Sequence, residues 1–221
     1  MTLDMSSFGA LIADRNRAAL LVELLDGRRI PASELAARVG LSRSLASAHL
    51  VKLERAGVVT VEAHGRRRLY ELASGDLAEV IERLSTLSPA PPPPRTLRAQ
   101  SAHAALRYAR SCYDHLAGEL GVELALELER RELLRRANGT YVVSPALVAE
   151  LDLDVRSRRP LARPCLDWTE RRDHVAGLAG QALLSTFLDE GWLVRQPKGR
   201  GLDVTKRGAK AFAEHWNIVV R

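Results

Sequence analysis

Between Pro31 and Leu72 the spacing of apolar positions changes twice, and each change predicts a different element. Leu35, Ala36 and Val39 recur at helical spacing, with Ser33 placed to cap the start and Glu34 in the first turn, where the helix dipole favours a carboxylate. Gly40 stops that helix, Leu41 plugs the turn, and Ser42 is placed to cap a second helix. There Ala46, Leu50 and Leu53 follow the i, i+4, i+7 stripe of a half-buried helix, which Gly57 ends. From Val58 the period falls to two: Val58–Val61 runs up, His64, Gly65, Arg66, Arg67 and Arg68 cross the tip, and Leu69–Leu72 runs back.

With the stripe turned inward, Arg43, Ser44, Ser47, Ala48 and Lys52 face out, small and polar side chains first and then a cation. Such a face fits a DNA major groove, where a reading helix offers its N-terminal residues to base edges. Three consecutive arginines beside His64 suit phosphate or minor-groove contact. Plain packing and a solvated turn are the alternatives; the capped helix pair, the Gly-Leu-Ser turn and the basic hairpin in this order favour a winged DNA-reading module.

Outside that core, helices are predicted over Phe8–Leu25 and Leu77–Leu87, with apolar residues beyond what a small domain covers alone. They point to a homodimer on an inverted repeat. Ser88–Arg95, SPAPPPPR, cannot continue a helix and prefers extended polyproline II, so residues 89–95 are a semi-rigid linker between domains at 1–88 and 96–221. In the second domain Ala102, Leu106, Ala109, Tyr113, Leu116 and Leu120 predict helix from Arg98 to about Leu134. A hairpin around Asn138-Gly139 follows, then helices at Pro145–Leu151 and Val175–Leu188, a strand at Gly191–Arg195, its return at Leu202–Thr205 and a closing helix at Lys206–Trp216. The fold class expected is mainly α with small β-hairpin wings: an N-terminal winged helix-turn-helix and a C-terminal α+β domain. A degenerate winged helix and an α+β fold of its own both fit the second domain.

Length and composition bound the rest. The chain has 221 residues, 46% of them hydrophobic, with no apolar run near the ~20 residues of a bilayer span, and its start lacks the order of a secretory signal. Two cysteines argue against a disulfide scaffold. A cytoplasmic location is expected, with no membrane partner. The net charge of +6 is unevenly spread: residues 1–88 hold 12 Lys+Arg against 11 Asp+Glu, a net of +1, and the remainder carries +5. Positive charge in the first domain must therefore act locally, at the reading helix and wing tip, which disfavours a purely architectural DNA binder. Arg156, Arg158, Arg159 and Arg163 form a cluster in the second domain that reads as a solvated loop or an anion site.

The chemistry-bearing candidates there are Cys112, Tyr113, Asp114 and His115, then Cys165, Asp167, Trp168, Thr169, Glu170 and Arg171, with His174 beyond. On the expected helix Cys112 and His115 share a face at i, i+3. Cys165 and His174 are nine apart, too loose for a finger spacing. If the two segments meet, a Cys/His metal site or a reversible disulfide follows; a small-molecule pocket lined by Tyr113, His115 and Trp168, and simple packing, are the other readings. No nucleophile elbow, phosphate loop, HExxH helix or paired CxxC is present, so catalysis is not indicated. No residue is assigned as a metal ligand, and no cofactor is called for.

Ala13–Arg17, Leu35–Ser42 and His49–Val59, with the wing after them, resemble the ArsR-type winged-helix regulators over roughly residues 8–88. The runs Ser111–Gly118 and Pro164–Arg172 resemble the longer, two-domain members. The resemblance implies a homodimeric repressor paired through its first and last helices. Metal-sensing members carry Cys-x-Cys in the first helix of the reading pair or His and Asp ligands on the last; Glu34–Arg38 and Asp76–Arg83 stand there instead, with no thiol or imidazole. The partners expected are double-stranded DNA, a second copy and a small-molecule effector acting through the C-terminal domain. A thiol- or metal-responsive regulator using Cys112 and Cys165 is the alternative.

Overall fold

A computed structural model describes residues 6–65, 67–87 and 96–221; the expected linker and Arg66 lie outside them. The chain divides into one unit ending at Ile81 and a second running Glu82–Arg221.

The first unit opens with α1 (Ser6–Ile12) and α2 (Arg15–Leu24), two helices where one was expected over Phe8–Leu25. Asp14 makes the break, because its side chain accepts from the backbone N–H groups of Asn16 and Arg17, both at 3.0 Å, and so caps α2. β1 (Ile30–Pro31) leads directly into α3 (Ala32–Val39). The cap position of α3 therefore falls on Pro31 rather than Ser33, since the strand fixes the entry: Ile30 pairs with Tyr70. Gly40 closes α3 at φ 71°, a left-handed conformation natural to glycine. Ser42 caps α4 (Arg43–Arg55) by accepting from Leu45 N–H at 3.3 Å. β2 (Val59–His64) and β3 (Arg67–Leu72) form the expected hairpin, which β1 extends to a three-stranded antiparallel sheet, and α5 (Gly75–Leu87) follows, its residues from Glu82 onward counted with the second unit. Leu20, Leu24, Leu35, Ala46, Leu50 and Leu53 are sealed from solvent at the core of the first unit.

The second unit is α6 (Leu97–Tyr108), β4 (Arg110–Cys112), β5 (His115–Ala117), α7 (Glu119–Arg130), β6 (Leu134–Ala137), β7 (Thr140–Val143), α8 (Pro145–Glu150), β8 (Arg163–Leu166), β9 (Asp173–Ala176), α9 (Gly177–Asp189), β10 (Leu193–Arg195), β11 (Leu202–Val204) and α10 (Lys206–Trp216). It is an α+β fold in which one sequence of elements occurs twice: hairpin, helix, hairpin, helix. The helix expected over Arg98–Leu134 is thus interrupted by the β4–β5 hairpin, with Tyr113 at φ 60° in its turn and Gly118 at φ 83° after it. A helix tolerates neither. In the same way Val175 and Ala176 lie on a strand, and α9 starts only past it. The hairpin at Asn138-Gly139 stands as expected, both residues having positive φ, as a tight hairpin turn of this type requires.

The two copies interlock. β5 lies against β9, α7 packs on β9, and α9 packs on β5, so each helix covers the other copy's strand. Beneath them Leu120, Leu124, Leu128, Leu183, Phe187 and Phe212 form one core, with the Phe187 and Phe212 rings edge to face at 5.0 Å. No described helix is long and apolar enough to cross a membrane.

At the end of α7, Glu127 accepts from Arg130 (2.7 Å) and Arg131 (2.6 Å). The Arg130 hydrogen bond, assisted by Arg131 and opposed by burial, holds its carboxyl down at about 2, against an ordinary 4.5. A depressed folded-state value contributes stability above the unfolded value and loses it as pH falls. Glu127→Gln is expected to be less stable than the parent at neutral pH, with the gap closing as pH drops from about 4.5 towards about 2. Urea midpoints across that window check it; a gap independent of pH would contradict it.

Candidate nucleic-acid interface and a buried cysteine–histidine cluster

On α4, Ala46, Leu50 and Leu53 point inward with no exposed surface, and His49 is buried with its Nε2 3.4 Å from Asn16 Nδ2. Arg43, Ser44, Ser47, Ala48 and Lys52 are exposed, as the stripe requires. Lys52 and Arg55 occupy the last turn, where the helix dipole favours cations. In the wing His64 pairs with Arg67 at the end of the ladder, with Gly65 at φ 60° in the tip, and both His64 and Arg67 are exposed. Arg68 differs from its neighbour: its Nη2 lies 3.1 Å from both carboxylate oxygens of Glu54 on α4, and its guanidinium sits 5.8 Å from the Tyr70 ring centroid. That pair ties the wing to the helix. Arg43, Ser47, Arg67, Arg68 and Tyr70 line one cleft with Pro31–Ser33, of about 280 Å³.

In the second unit, the hairpin turns bring Cys112, His115, Cys165 and His174 together, all four buried, with their ligating atoms within 4.8 Å of one another. Cys112 and His115 are register partners across β4–β5, and Cys165 and His174 across β8–β9. His115 Nε2 faces His174 Nε2 at 3.2 Å, the rings being 5.1 Å apart by centroid. The other ring nitrogens meet carboxylates: His115 Nδ1 lies 3.1 Å from Asp114 Oδ1 and His174 Nδ1 3.2 Å from Asp167 Oδ2. Each carboxylate is held in turn by an arginine, Asp114 by Arg159 at 2.6 Å and Asp167 by Arg110 Nη2 at 2.8 Å to both oxygens. Burial opposes charge on His174, but the Asp167 carboxylate and Cys165 outweigh it and raise its proton affinity to about 9. Cys165 is pulled well below the ordinary thiol range by its hydrogen bond with Cys112 and by the two imidazoles, against burial.

Cys112 and His115, expected on one helix face, are therefore on two paired strands. Cys165 and His174, nine apart and too loose for a finger spacing, are set opposite one another by the turn between β8 and β9. Tyr113 is half-buried in the turn between its hairpin's Cys and His. The His115 ring is turned to His174 and the Trp168 ring to the Arg110 guanidinium, 5.1 Å away. Arg171, at φ 56° in the β8–β9 turn, donates to the Thr86 carbonyl at 2.7 Å. Of the Arg156–Arg163 cluster, Arg159 has a defined task, its Nη1 reaching both Asp114 and Gln181. Asp114 and Asp167 are sequence candidates with no role assigned, and Arg110, which completes the frame of the cluster, is not singled out from the sequence. The available signal was a repeat: Cys-x-Asp at 112–114 and 165–167, and Asp-His-x-Ala-Gly-x-x-Gly at 114–121 and 173–180.

A helix pair joined by a tight turn, a basic wing and an exposed face between them define a winged helix-turn-helix transcriptional regulator, and the chain belongs to that family of DNA-binding regulators. Residues 14–60 match the winged helix-turn-helix DNA-binding family. The whole chain is 38% identical, over 227 residues and 100% of both proteins, to the uncharacterized HTH-type transcriptional regulator YdfF of Bacillus subtilis (strain 168). The HTH-type transcriptional regulator CmtR of Mycobacterium tuberculosis (strain ATCC 25618 / H37Rv) is 40% identical over 80 residues, 36% of this chain and 67% of that one. The structure of reduced HlyU from Vibrio cholerae N16961 is 31% identical, covering 38% of this chain and 87% of that one at a TM-score of 0.35. The ArsR-type resemblance drawn from residues 8–88 agrees with the sequence matches.

Proposed function

We propose that the protein is a homodimeric repressor that reads an inverted-repeat operator with α4 and the wing and is controlled through its second unit in the cytoplasm. The observation that carries this is adjacency: Arg43 and Ser47 of the reading helix and Arg67 of the wing border one depression, so a duplex laid across that face meets base-reading and phosphate-binding groups together. The dimer reading is supported by α5, which exposes Val80 (42%), Leu84 (37%) and Leu87 (81%) at i, i+4, i+7. Control through the second unit is supported by the buried, carboxylate-framed cluster of Cys112, His115, Cys165 and His174 within it.

The test is footprinting with sedimentation: a dimer protecting two half-sites one helical turn apart, ~34–36 Å centre to centre, is expected. A monomer at micromolar concentration on one unrepeated site would overturn it. Within that complex Arg43→Ala is expected to relax sequence preference at a cost of ~1–3 kcal/mol, as loss of a bidentate guanine contact does. Arg67→Ala is expected to weaken operator and random DNA alike and to reduce the salt slope by about one. Binding isotherms on both DNAs at several salt concentrations separate the two; equal loss of preference from both variants would contradict the division of roles.

A further inference from the structure

We propose that Cys112, His115, Cys165 and His174 form a closed four-ligand site for a divalent ion of the zinc class, each of two repeated modules supplying one cysteine and one histidine. It concerns the second unit alone and stands whatever DNA the first unit reads.

Two copies of one short pattern build the site. Each hairpin carries its cysteine on the first strand and its histidine opposite on the second, and each sets an aspartate two residues after the cysteine beside that histidine's Nδ1. Each then runs through Ala-Gly into a helix whose next glycine backs the other copy's ligand. A Cβ on Gly121 would lie 3.5 Å from His174 Cβ and 2.6 Å from the Leu116 carbonyl oxygen; one on Gly180 would lie 3.0 Å from His115 Cβ and 2.2 Å from the Val175 carbonyl oxygen. Both helices are thereby free to press their backbones against the hairpins, and the two half-sites close on each other.

The donor chemistry selects the ligand. Two thiols and two imidazoles are the soft and borderline set of tetrahedral zinc sites, and four protein ligands leave no open position for catalysis. A carboxylate behind each imidazole is the usual outer shell of a ligating histidine: it keeps the proton on Nδ1 and turns the Nε2 lone pair inward. Here both Nε2 atoms face each other at 3.2 Å, while His115 Nδ1 lies 3.1 Å from Asp114 and His174 Nδ1 3.2 Å from Asp167. In the metal-free protein a proton shared between the two Nε2 atoms holds this contact as a hydrogen bond, and a divalent ion would take that proton's place. The separation matches the roughly 3.3 Å between two nitrogen ligands of a tetrahedral zinc ion, from bond lengths of about 2.0–2.1 Å. On binding, the protons held on the sulfur atoms and between the two Nε2 atoms pass to solvent, and two thiolates and two neutral imidazoles become the ligands.

The full-length chain, reduced and stripped with a chelator, is titrated with Co2+ and then with Zn2+ against a chromophoric competitor. One ion per chain is expected, with the intense visible bands of four-coordinate cobalt and a thiolate-to-cobalt charge-transfer band, both displaced by Zn2+. Cys165→Ser and His115→Gln are expected to weaken Zn2+ at least 100-fold, and Asp114→Asn by ~10–100-fold with the four-coordinate spectrum retained. The parent's own cobalt spectrum decides the matter even if a variant fails to fold. Substoichiometric binding, a six-coordinate cobalt spectrum, a Cys112–Cys165 disulfide in place of metal under non-reducing purification, or a Zn2+ affinity unmoved in folded Cys165→Ser would each overturn the proposal. Since none of these readouts involves DNA, failure here and failure of the operator reading are separable.

Discussion

Replacing Asp167 with alanine is expected to cost about 3–5 kcal/mol of stability in the second unit, the usual effect of removing one partner from a buried ion pair. Asp167 and Arg110 have no exposed side-chain surface, and their fork-to-fork contact at 2.8 Å is only part of what the carboxylate does. It also accepts from Gly118 N–H at 2.8 Å, Thr169 N–H at 2.9 Å, Thr169 Oγ1 at 2.7 Å and Glu170 N–H at 3.1 Å. One side chain thus pins the start of α7 and the β8–β9 turn to β4. Burial pushes its proton affinity up, but His174 and the Arg110 charge outweigh that and hold the group well below the usual carboxylate range, so it is charged at every physiological pH. Alanine leaves the Arg110 cation buried and several N–H groups without an acceptor; asparagine keeps one acceptor oxygen and should lose less. Denaturant unfolding followed at the tryptophans, all three of which lie in this unit, checks it, and a change within about 0.5 kcal/mol, the range of ordinary surface substitutions, would refute it.

Leu50→Ala is the corresponding loss in the first unit, at about 2–5 kcal/mol. Leu50 is sealed from solvent on the inner stripe of α4, the helix that packs against α2 and α3 and carries Arg43 and Ser47 on its outer side. A cavity there loosens the helix that presents the reading face, so protection of α4 amides from hydrogen exchange should fall together with DNA affinity. Leu50→Met, which nearly conserves volume, should cost less than about 1.5 kcal/mol and leave binding close to the parent's. Unchanged unfolding of Leu50→Ala would mean that α4 is not held by this stripe.

The first unit was legible because its information is local. Ser42, Gly40 and Gly57 act on the two or three residues beside them, and the Ala46, Leu50, Leu53 stripe has the helical period, so helix ends and the inward face follow from spacing alone. Where tertiary pairing intervened, spacing misled: β1 claimed Ile30–Pro31 for the sheet and moved the cap of α3 off Ser33. In the second unit, apolar positions from Ala102 to Leu120 run at near-helical intervals, but Ala109 and Leu116 are buried on or beside strands. A short buried hairpin between two helices carries no alternation by which to recognise it.

Sequence by itself determined the winged helix-turn-helix, its outward face, the Asn-Gly hairpin and the helices at Pro145 and Lys206, each written in neighbours a few residues apart. It also supplied the residue types of the cluster, two thiols and two imidazoles. Only the tertiary structure decided that they meet. Cys112 and Cys165 stand 53 positions apart, and His115 and His174 stand 59 apart. What joins them is the interlocking of two hairpins, each covered by the other's helix through a glycine, and such a contact has no period along the chain.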